Sequence, residues 1–366
     1  MRPLRILHSE AATSFGGQEN RIFKEMVAMR HRGHEIEALC QPQAQLVPRL
    51  QDKGFVVHTM EMDGPANYLR CLWRLVPLMR AKRYDVVNTH SRRDTMIAAA
   101  AGRLAGVPLI VRTRHLASKI GSLASYTWLP HRVITVSDHV RSMLIEKGVP
   151  PDYVATVYSP IPMPPLLKHS TLRQELGLSS DDTVIGCVAV MRAKKGHRTL
   201  IDAALPLILS HPNLHLVFVG GGSPVFEQVK AYVAQKGLDH RIHLLGTRSD
   251  VPNLLAGFDI FALATEQEAS GTVFVEAAAM GLPVVGTRVG GVAEMMRDGE
   301  TGYLVPLNDI AELTQTLARL VDNPQLRTTM GQAGLQFVRT AEFFTLEGMA
   351  KSTEQAYLHW LSARAK

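Results

Sequence analysis

The sequence predicts an α/β protein of two Rossmann-like domains in tandem, facing each other across a cleft. Three observations carry that reading. The chain has 366 residues, more than a single hydrophobic core usually supports. Short apolar runs alternate with stretches of helical period along its whole length, the pattern of a mostly parallel sheet with helices on both faces. Near the middle, residues 159–165 read Ser-Pro-Ile-Pro-Met-Pro-Pro, which suits neither a helix interior nor a central strand and marks a linker. The expected division is 1–163 for the N-terminal domain, 164–345 for the C-terminal domain, and 346–366 for a terminal helix packing back toward the N-terminal domain.

The chain opens with a βαβ unit. Residues 4–7 form an apolar run, and Ser14-Phe15-Gly16-Gly17 breaks it. Ile22, Phe23, Met26, Val27 and Met29 recur at helical spacing until Gly33, and residues 34–40 alternate as a second strand. Further strands are expected at 85–89, 109–113, 133–136 and 153–157, with helices at 96–105 and 138–147. After the linker, strands are expected at 183–191, 214–220, 242–245, 260–263, 283–286 and 302–304. Helices at 199–209, 225–236, 273–280 and 310–321 separate them. Sheets of this kind bind ligands at the carboxyl ends of their strands, and two such domains bind them in the cleft.

A 46% hydrophobic, 20% charged composition is that of a soluble globular protein. Cys40, Cys71 and Cys187 are far apart and odd in number, which gives no disulfide framework and points to a reducing compartment. No apolar run reaches the ~18 to 20 residues that span a bilayer, and Glu10 arrives before any stretch long enough for a signal peptide. The expected location is the cytoplasm. The net charge of +7 is uneven: residues 1–165 hold 22 Lys and Arg against 13 Asp and Glu, the rest 18 against 20. All the excess positive charge therefore lies in the first half.

The strongest chemical signal is Glu268-Ala269-Ser270-Gly271-Thr272-Val273-Phe274-Val275-Glu276. It places one carboxylate in the loop after a strand and the other in the following helix. Gly271 lets backbone approach a ligand closely, and a helix N-terminus suits a phosphate. Glu276 can accept hydrogen bonds from a sugar diol. Three more blocks accompany it: Val190-Met191-Arg192-Ala193-Lys194-Lys195-Gly196-His197, Leu216-Val217-Phe218-Val219-Gly220-Gly221-Gly222-Ser223-Pro224, and Gly290-Gly291-Val292-Ala293-Glu294 running on to residues 298–306.

With these four blocks in order, and Phe15-Gly16-Gly17-Gln18-Glu19 near the start, the chain resembles the retaining GT-B glycosyltransferases of group 1 (family 4). The likeness covers nearly the whole chain and is strongest over 184–306. It implies that Glu276 holds the donor ribose, that Glu268 faces the transferred sugar, and that Arg192 and Lys195 neutralise the donor diphosphate. It adds Gly16, Gly17, Ser270, Gly271, Thr272 and Val273 to the donor site, with Gly246, Thr247 and Arg248 in a loop that selects base and hexose. His115, after a strand, matches a family histidine near the donor sugar. His90 also ends a strand and is a candidate on the acceptor side, whereas His131 precedes a strand and is expected to be structural. Lys194 is expected to be solvated. At the domain junction Ser159-Pro160 stands where the family often has Asn-Gly.

The implied activity is transfer of a sugar, most readily a hexose, from a nucleotide-diphosphate donor to a glycolipid or polysaccharide-precursor acceptor with retention. Spacing leaves open whether Glu268 is a nucleophile or an electrostatic stabiliser. No cofactor or metal is expected, because the sequence has no Asp-x-Asp motif and two cations can serve the diphosphate. A sugar-nucleotide epimerase or hydrolase on the same plan remains an alternative. A dehydrogenase is excluded, since Gly220-Gly221-Gly222-Ser223-Pro224-Val225 lacks the last glycine of the dinucleotide fingerprint. Nucleic acid is an unfavoured partner for want of a binding module or arrayed aromatics. An anionic membrane surface is a better one. Arg70, Trp73, Arg74 and Arg80 lie in a basic, apolar stretch that Pro77 is expected to interrupt, and Arg112, Arg114, Lys119, Tyr126, Trp128 and Arg132 form a second. The protein is therefore expected at the inner face of the cytoplasmic membrane.

Overall fold

The computed structural model describes residues 2–161 and 169–364. Most of the proline-rich linker, with the 163/164 boundary, lies outside the described residues. Two compact units emerge, Met1–Pro160 joined by Glu342–Lys366, and Ile161–Ala341.

The first unit is built on a parallel sheet of β1 (Arg5–Glu10), β2 (Glu35–Cys40), β3 (Val56–Thr59), β4 (Val86–Thr89), β5 (Leu109–Arg114), β6 (Arg132–Thr135) and β7 (Val154–Thr156). Their order is β3-β2-β1-β4-β5-β6-β7. The second holds β8 (Thr183–Val188), β9 (Leu214–Val219), β10 (Ile242–Leu244), β11 (Ile260–Leu263), β12 (Val284–Thr287) and β13 (Gly302–Val305). Their order is β10-β9-β8-β11-β12-β13. Both are doubly wound Rossmann-like sheets in which winding reverses beside the first strand, between β1 and β4 and between β8 and β11.

Continuous apolar runs follow from this architecture, because a parallel strand is covered on both faces. In the first sheet Ile6, Val86, Leu109 and Val111 pack into one core with Ile22, Met26 and Met29 of the helix Gly17–His31. Leu7, Val87 and Ile110 point the other way, onto Cys71, Leu75 and Met79 of the helix Pro65–Lys82. The last helix, Leu346–Arg364, adds Met349, Ala350, Tyr357 and Trp360 to the first of these cores. Arg32 and His34 fasten it at the rim through Glu354, with His34 Nε2 2.9 Å from Glu354 Oε1.

Four differences from the sequence reading have physical causes. β1 runs to Glu10 rather than Leu7, because His8, Ser9 and Glu10 are buried although polar. β3 was not expected, being a four-residue edge strand without a buried apolar face. The helix Pro324–Thr340 was also unexpected; Gly331 and Gly334 weaken its signal, yet Gly331 is needed because a Cβ there would meet the Gly281 carbonyl oxygen at 1.9 Å. Pro77 does not interrupt the helix Pro65–Lys82. It lies on the exposed face, so the Trp73 carbonyl that loses its donor faces water.

Trp360→Ala should destabilise the first unit by about 3–5 kcal/mol, against within about 0.5 kcal/mol for exposed Trp73→Ala. Urea unfolding followed by circular dichroism measures both. Equal losses would mean the terminal helix is not part of that core.

Candidate active site

In the second unit the sequence blocks converge at the carboxyl ends of β8 and β11, the adjacent strands where winding reverses. The loop after β8 carries Arg192 and Lys195, and the loop after β11 carries Glu268. Gly196 closes the first loop at φ +63, and a Cβ there would meet the Ala264 carbonyl oxygen at 1.8 Å. Only glycine lets the two loops approach so closely. Thr265 Oγ1 and Glu266 N donate to the Lys194 carbonyl at 3.1 and 2.8 Å, and Lys194 Nζ donates to Gln267 Oε1 at 2.6 Å. Lys194 is thus exposed but ties the loops rather than merely meeting solvent. Lys195 Nζ and Glu268 Oε2 form an ion pair, both side chains largely buried.

The glycines of the fourth block hold Glu268 from the other side. Gly290 adopts φ +54 with its would-be Cβ 1.9 Å from the Glu268 carbonyl oxygen, and Gly291 N donates to that oxygen at 3.1 Å. Gly271, at φ +87, opens the helix Thr272–Ala279. Phe274, Val275 and Ala277 are buried, so Thr272, Val273 and Glu276 form the partly open face. Ser270 is buried against Met295. Arg192 is exposed and borders a hollow of about 450 Å³ lined also by His197, Arg198, Tyr232 and Glu266.

Gly246 and Thr247 join this region through the glycine loop after β9. Gly220 N donates to the Gly246 carbonyl at 2.8 Å, and Gly221 lies against Thr247. Arg248 is already engaged, donating to Asp250 at 2.8 Å and to Glu175 at 3.0 Å. Its guanidinium anchors the loop instead of offering a free cation to a ligand.

The first unit gathers a second cluster at its own reversal point. Glu10 ends β1, His90 follows β4 and His115 follows β5. Gly16 and Gly17 are exposed at the start of the helix Gly17–His31, and a Cβ at Gly17 would meet nothing within 4 Å. His115 is buried at the edge of the cluster. His90 corrects the acceptor-side expectation: it is 3% exposed, with both ring nitrogens bonded to the rings of His8 and His115. It cannot touch a bulky ligand directly. His131 is structural, its Nδ1 accepting from Ile110 N at 3.0 Å.

Sequence reasoning missed His8, Glu10, Asp94 and the buried Arg21–Glu25 pair, whose atoms approach to 2.6 Å. Recognising that β1 continues through His8-Ser9-Glu10 would have exposed the first two. Asp94 accepts from the backbone of His90 and Ser91 at 2.8 and 2.7 Å and fixes the loop after β4. Burial and then the charge of Asp94 push the Glu10 carboxyl up to about 8.

On the helix Pro65–Lys82, Arg70, Trp73, Arg74 and Arg80 share the exposed face, with Trp73 79% and Leu69 68% exposed. Arg80 also donates to the Leu104 carbonyl at 2.9 Å. The second basic stretch is a surface only in part: Lys119 and Trp128 are exposed and Arg132 is half-buried. Arg112 and Arg114 are buried against Tyr126, with Arg112 stacked 4.0 Å from its ring centroid. Among the described residues no group of three or more His, Cys, Asp or Glu is arranged to hold a metal ion. No helix among them is long and apolar enough to cross a membrane.

Two family models match in tandem and between them account for most of the chain. Glycosyltransferase Family 4 matches residues 15–163, and Glycosyl transferases group 1 matches 168–337. The chain belongs to the group 1 glycosyltransferases of GT-B fold. UDP-Gal:α-D-GlcNAc-diphosphoundecaprenol α-1,3-galactosyltransferase of Escherichia coli is 26% identical over 88% of this chain and 89% of its own length. N-acetyl-α-D-glucosaminyl L-malate synthase of Bacillus anthracis is 30% identical over 51% of this chain and 48% of its own. Among solved structures, a glycosyltransferase from Rickettsia africae matches with TM-score 0.89 at 22% identity over 99% of both chains. Anabaena HepE in complex with UDP matches with TM-score 0.84 at 20% identity, over 97% of this chain and 100% of that one. The structural matches establish the fold of this glycosyltransferase.

The buried ionisable groups of the glycosyltransferase set opposite pH trends. Burial lowers His8, His90 and His115 from 6.5, so their contribution to stability is lost as pH falls below 6.5. Glu10 is raised from 4.5 to about 8, so the folded state keeps a proton the unfolded chain releases, and stability falls as pH rises through that window. Between about pH 6.5 and 8 Glu10 is the remaining contributor of this cluster. Stability should fall there by up to about 1.4 kcal/mol per pH unit, and Glu10→Gln should flatten the fall. Denaturation at a series of pH values decides it, an unchanged slope in the variant placing the dependence elsewhere.

Proposed function

We propose that the protein transfers a hexose from a nucleoside-diphosphate sugar to a lipid-linked or polysaccharide-precursor acceptor, retaining anomeric configuration and using no metal ion. The observation that carries this reading is the meeting of Arg192, the Lys195–Glu268 pair and the Gly271 helix end at one switch point. Arg192 and Lys195 take the donor diphosphate, the helix N-terminus adds oriented N–H groups, and Glu276 accepts from the ribose hydroxyls. Negative charge on the leaving diphosphate grows as the glycosidic bond breaks, so fixed cations favour the transition state over the ground state. A carboxylate paired with Lys195 is a weakened nucleophile, which favours the stabiliser role for Glu268. His115 contributes a hydrogen bond to the sugar substrate. Retention is carried over from the family resemblance.

The acceptor class is supported by the E. coli relative, whose name specifies a diphosphoundecaprenol acceptor. It is also supported by the basic, tryptophan-bearing face of the helix Pro65–Lys82, which suits the anionic inner leaflet.

A panel of nucleotide sugars screened by thermal stabilisation identifies the donor, and steady-state kinetics then test the roles. Glu276→Ala should raise the donor KM about 10-fold with kcat little changed. Glu268→Ala should lower kcat by about 10² to 10³. EDTA should leave the wild type active, and Lys195→Ala should stay inactive with added magnesium. Loss of wild-type activity on chelation would overturn the metal-free reading, and turnover of donor without acceptor would favour an epimerase or hydrolase.

Liposome co-sedimentation tests the membrane reading. Binding should require anionic lipid, fall with salt, and weaken when Arg70 and Arg74 become glutamine. Indifference to anionic vesicles at low salt would point to a soluble acceptor.

A further inference from the structure

Three histidines contributed by β1 and by the ends of β4 and β5 form an unbroken chain. His8 Nδ1 lies 2.9 Å from His90 Nε2, and His90 Nδ1 lies 3.0 Å from His115 Nε2. The planes of the His8 and His90 rings are nearly parallel, at 10°, with centroids 5.2 Å apart. With the two nitrogens in contact at 2.9 Å, so long a centroid separation sets the rings end to end along the N···N line, which is the in-plane lone-pair direction of an N–H···N bond. Burial, the dominant cause, lowers the pKa of all three; Arg21 acts in the same sense on each, and at His8 the Glu25 carboxylate opposes it without reversing the direction. The rings are therefore neutral, with one N–H apiece.

Three neutral rings joined by two hydrogen bonds have two proton arrangements. In the first, His8 Nδ1–H donates to His90 Nε2, His90 Nδ1–H donates to His115 Nε2, and the remaining N–H sits on His115 Nδ1. In the second every bond is reversed and the remaining N–H sits on His8 Nε2. That nitrogen is buried and has no hydrogen-bond partner among the described residues. The second arrangement would bury a donor with no acceptor, a rarer defect than an unused lone pair. The first also leaves the N–H on the ring nearest the surface, since exposure rises from 2% at His8 through 3% at His90 to 9% at His115.

We infer that His8 and His90 are positioning residues that hold His115 as the neutral Nδ1–H tautomer, so that its free edge offers substrate a hydrogen-bond donor and not an acceptor. The ligand group that matches it is an oxygen with a free lone pair, a sugar hydroxyl or a phosphoryl oxygen. A sugar carrying an ammonium group at that position is disfavoured, because it offers only donors. The inference rests on the proposed role of His115 toward the sugar substrate. It assigns no substrate contact to His8 or His90; each acts through the next ring.

Long-range ¹H–¹⁵N correlation spectra of the full chain labelled at histidine read the tautomer directly, with a His115→Asn spectrum assigning the resonance. The expected wild-type state of His115 is Nδ1–H. His8→Leu, which removes the first donor, should populate the Nε2–H form. It should also lower kcat by about 10-fold or more with the donor KM unchanged, since a ring in the wrong tautomer is present but unproductive. His8→Asn, whose side-chain amide can donate from the position of Nδ1, should restore both readouts. An Nε2–H wild type, or a His8→Leu protein that folds and keeps both tautomer and kcat, would overturn the inference. The wild-type spectrum and His8→Asn decide the matter even where His8→Leu fails to fold. Full activity in His115→Ala, where the wild-type spectrum shows the Nδ1–H form, would instead overturn the role of His115 and with it the functional half of the inference.

Discussion

A parallel sheet wound in two directions from its first strand leaves one pair of adjacent strands whose following segments diverge, and both chemical clusters of this chain sit at such a pair. β8 and β11 bring Lys195 to Glu268, while β1 and β4 bring His8 to His90. At the reversal point the connections leave in opposite directions, and charged and ionisable groups gather there on rigid strands. The glycines of the motifs follow from the same constraint. Gly196 and Gly290 are required because neighbouring loops pass against the Ala264 and Glu268 carbonyls at distances no side chain allows.

Part of the first unit's buried polarity forms one connected layer. Asn88 donates to the Tyr357 hydroxyl at 2.9 Å and accepts from Thr113 Oγ1 at 2.9 Å. Arg21 spans Glu25 and the Val157 carbonyl. The terminal helix therefore supplies a hydrogen-bond partner beneath the histidine chain as well as apolar area. Hydrogen-bonded polar groups of this kind contribute little net stability but penalise any packing in which they lose their partners. The layer thus specifies one arrangement of β1, β4, β5 and the terminal helix, and the orientation of His115 is inherited from it.

Apolar periodicity made the strands of both sheets legible, with β3 the exception, and the motif blocks marked the residues that the second unit gathers at its candidate site. What escaped has a common cause. Residues buried because of their partners carry no apolar signal: His8 and Glu10 read as the end of β1, and Arg112 and Arg114 read as a basic surface although Tyr126, Ser125 and Ser118 enclose them. Arg248 is the complementary case. Its sequence position suggested a ligand-facing cation, and only the fold brings Glu175 from 73 residues away to occupy it. Pro77 misled because a breaker signal says nothing about which face of a helix it lands on.

The Lys195–Glu268 pair also bears on how a site rich in cations could remain selective. A lone buried lysine attracts every anion, and its field is long-ranged where water is scarce. Pairing it with Glu268 cancels that field at a distance and leaves a fixed dipole whose influence falls off more steeply. Under the proposed assignment the charges that develop during transfer are themselves a pair, negative on the departing diphosphate and positive on the sugar ring. A preformed dipole of matching size interacts with that separation more strongly than with the unreacted donor, whose sugar carries no charge. Arg192, exposed beside the pair, then supplies the unbalanced positive charge that ground-state binding needs. Under that assignment, division of labour between the Lys195–Glu268 pair and Arg192 lets affinity and turnover be set by different residues.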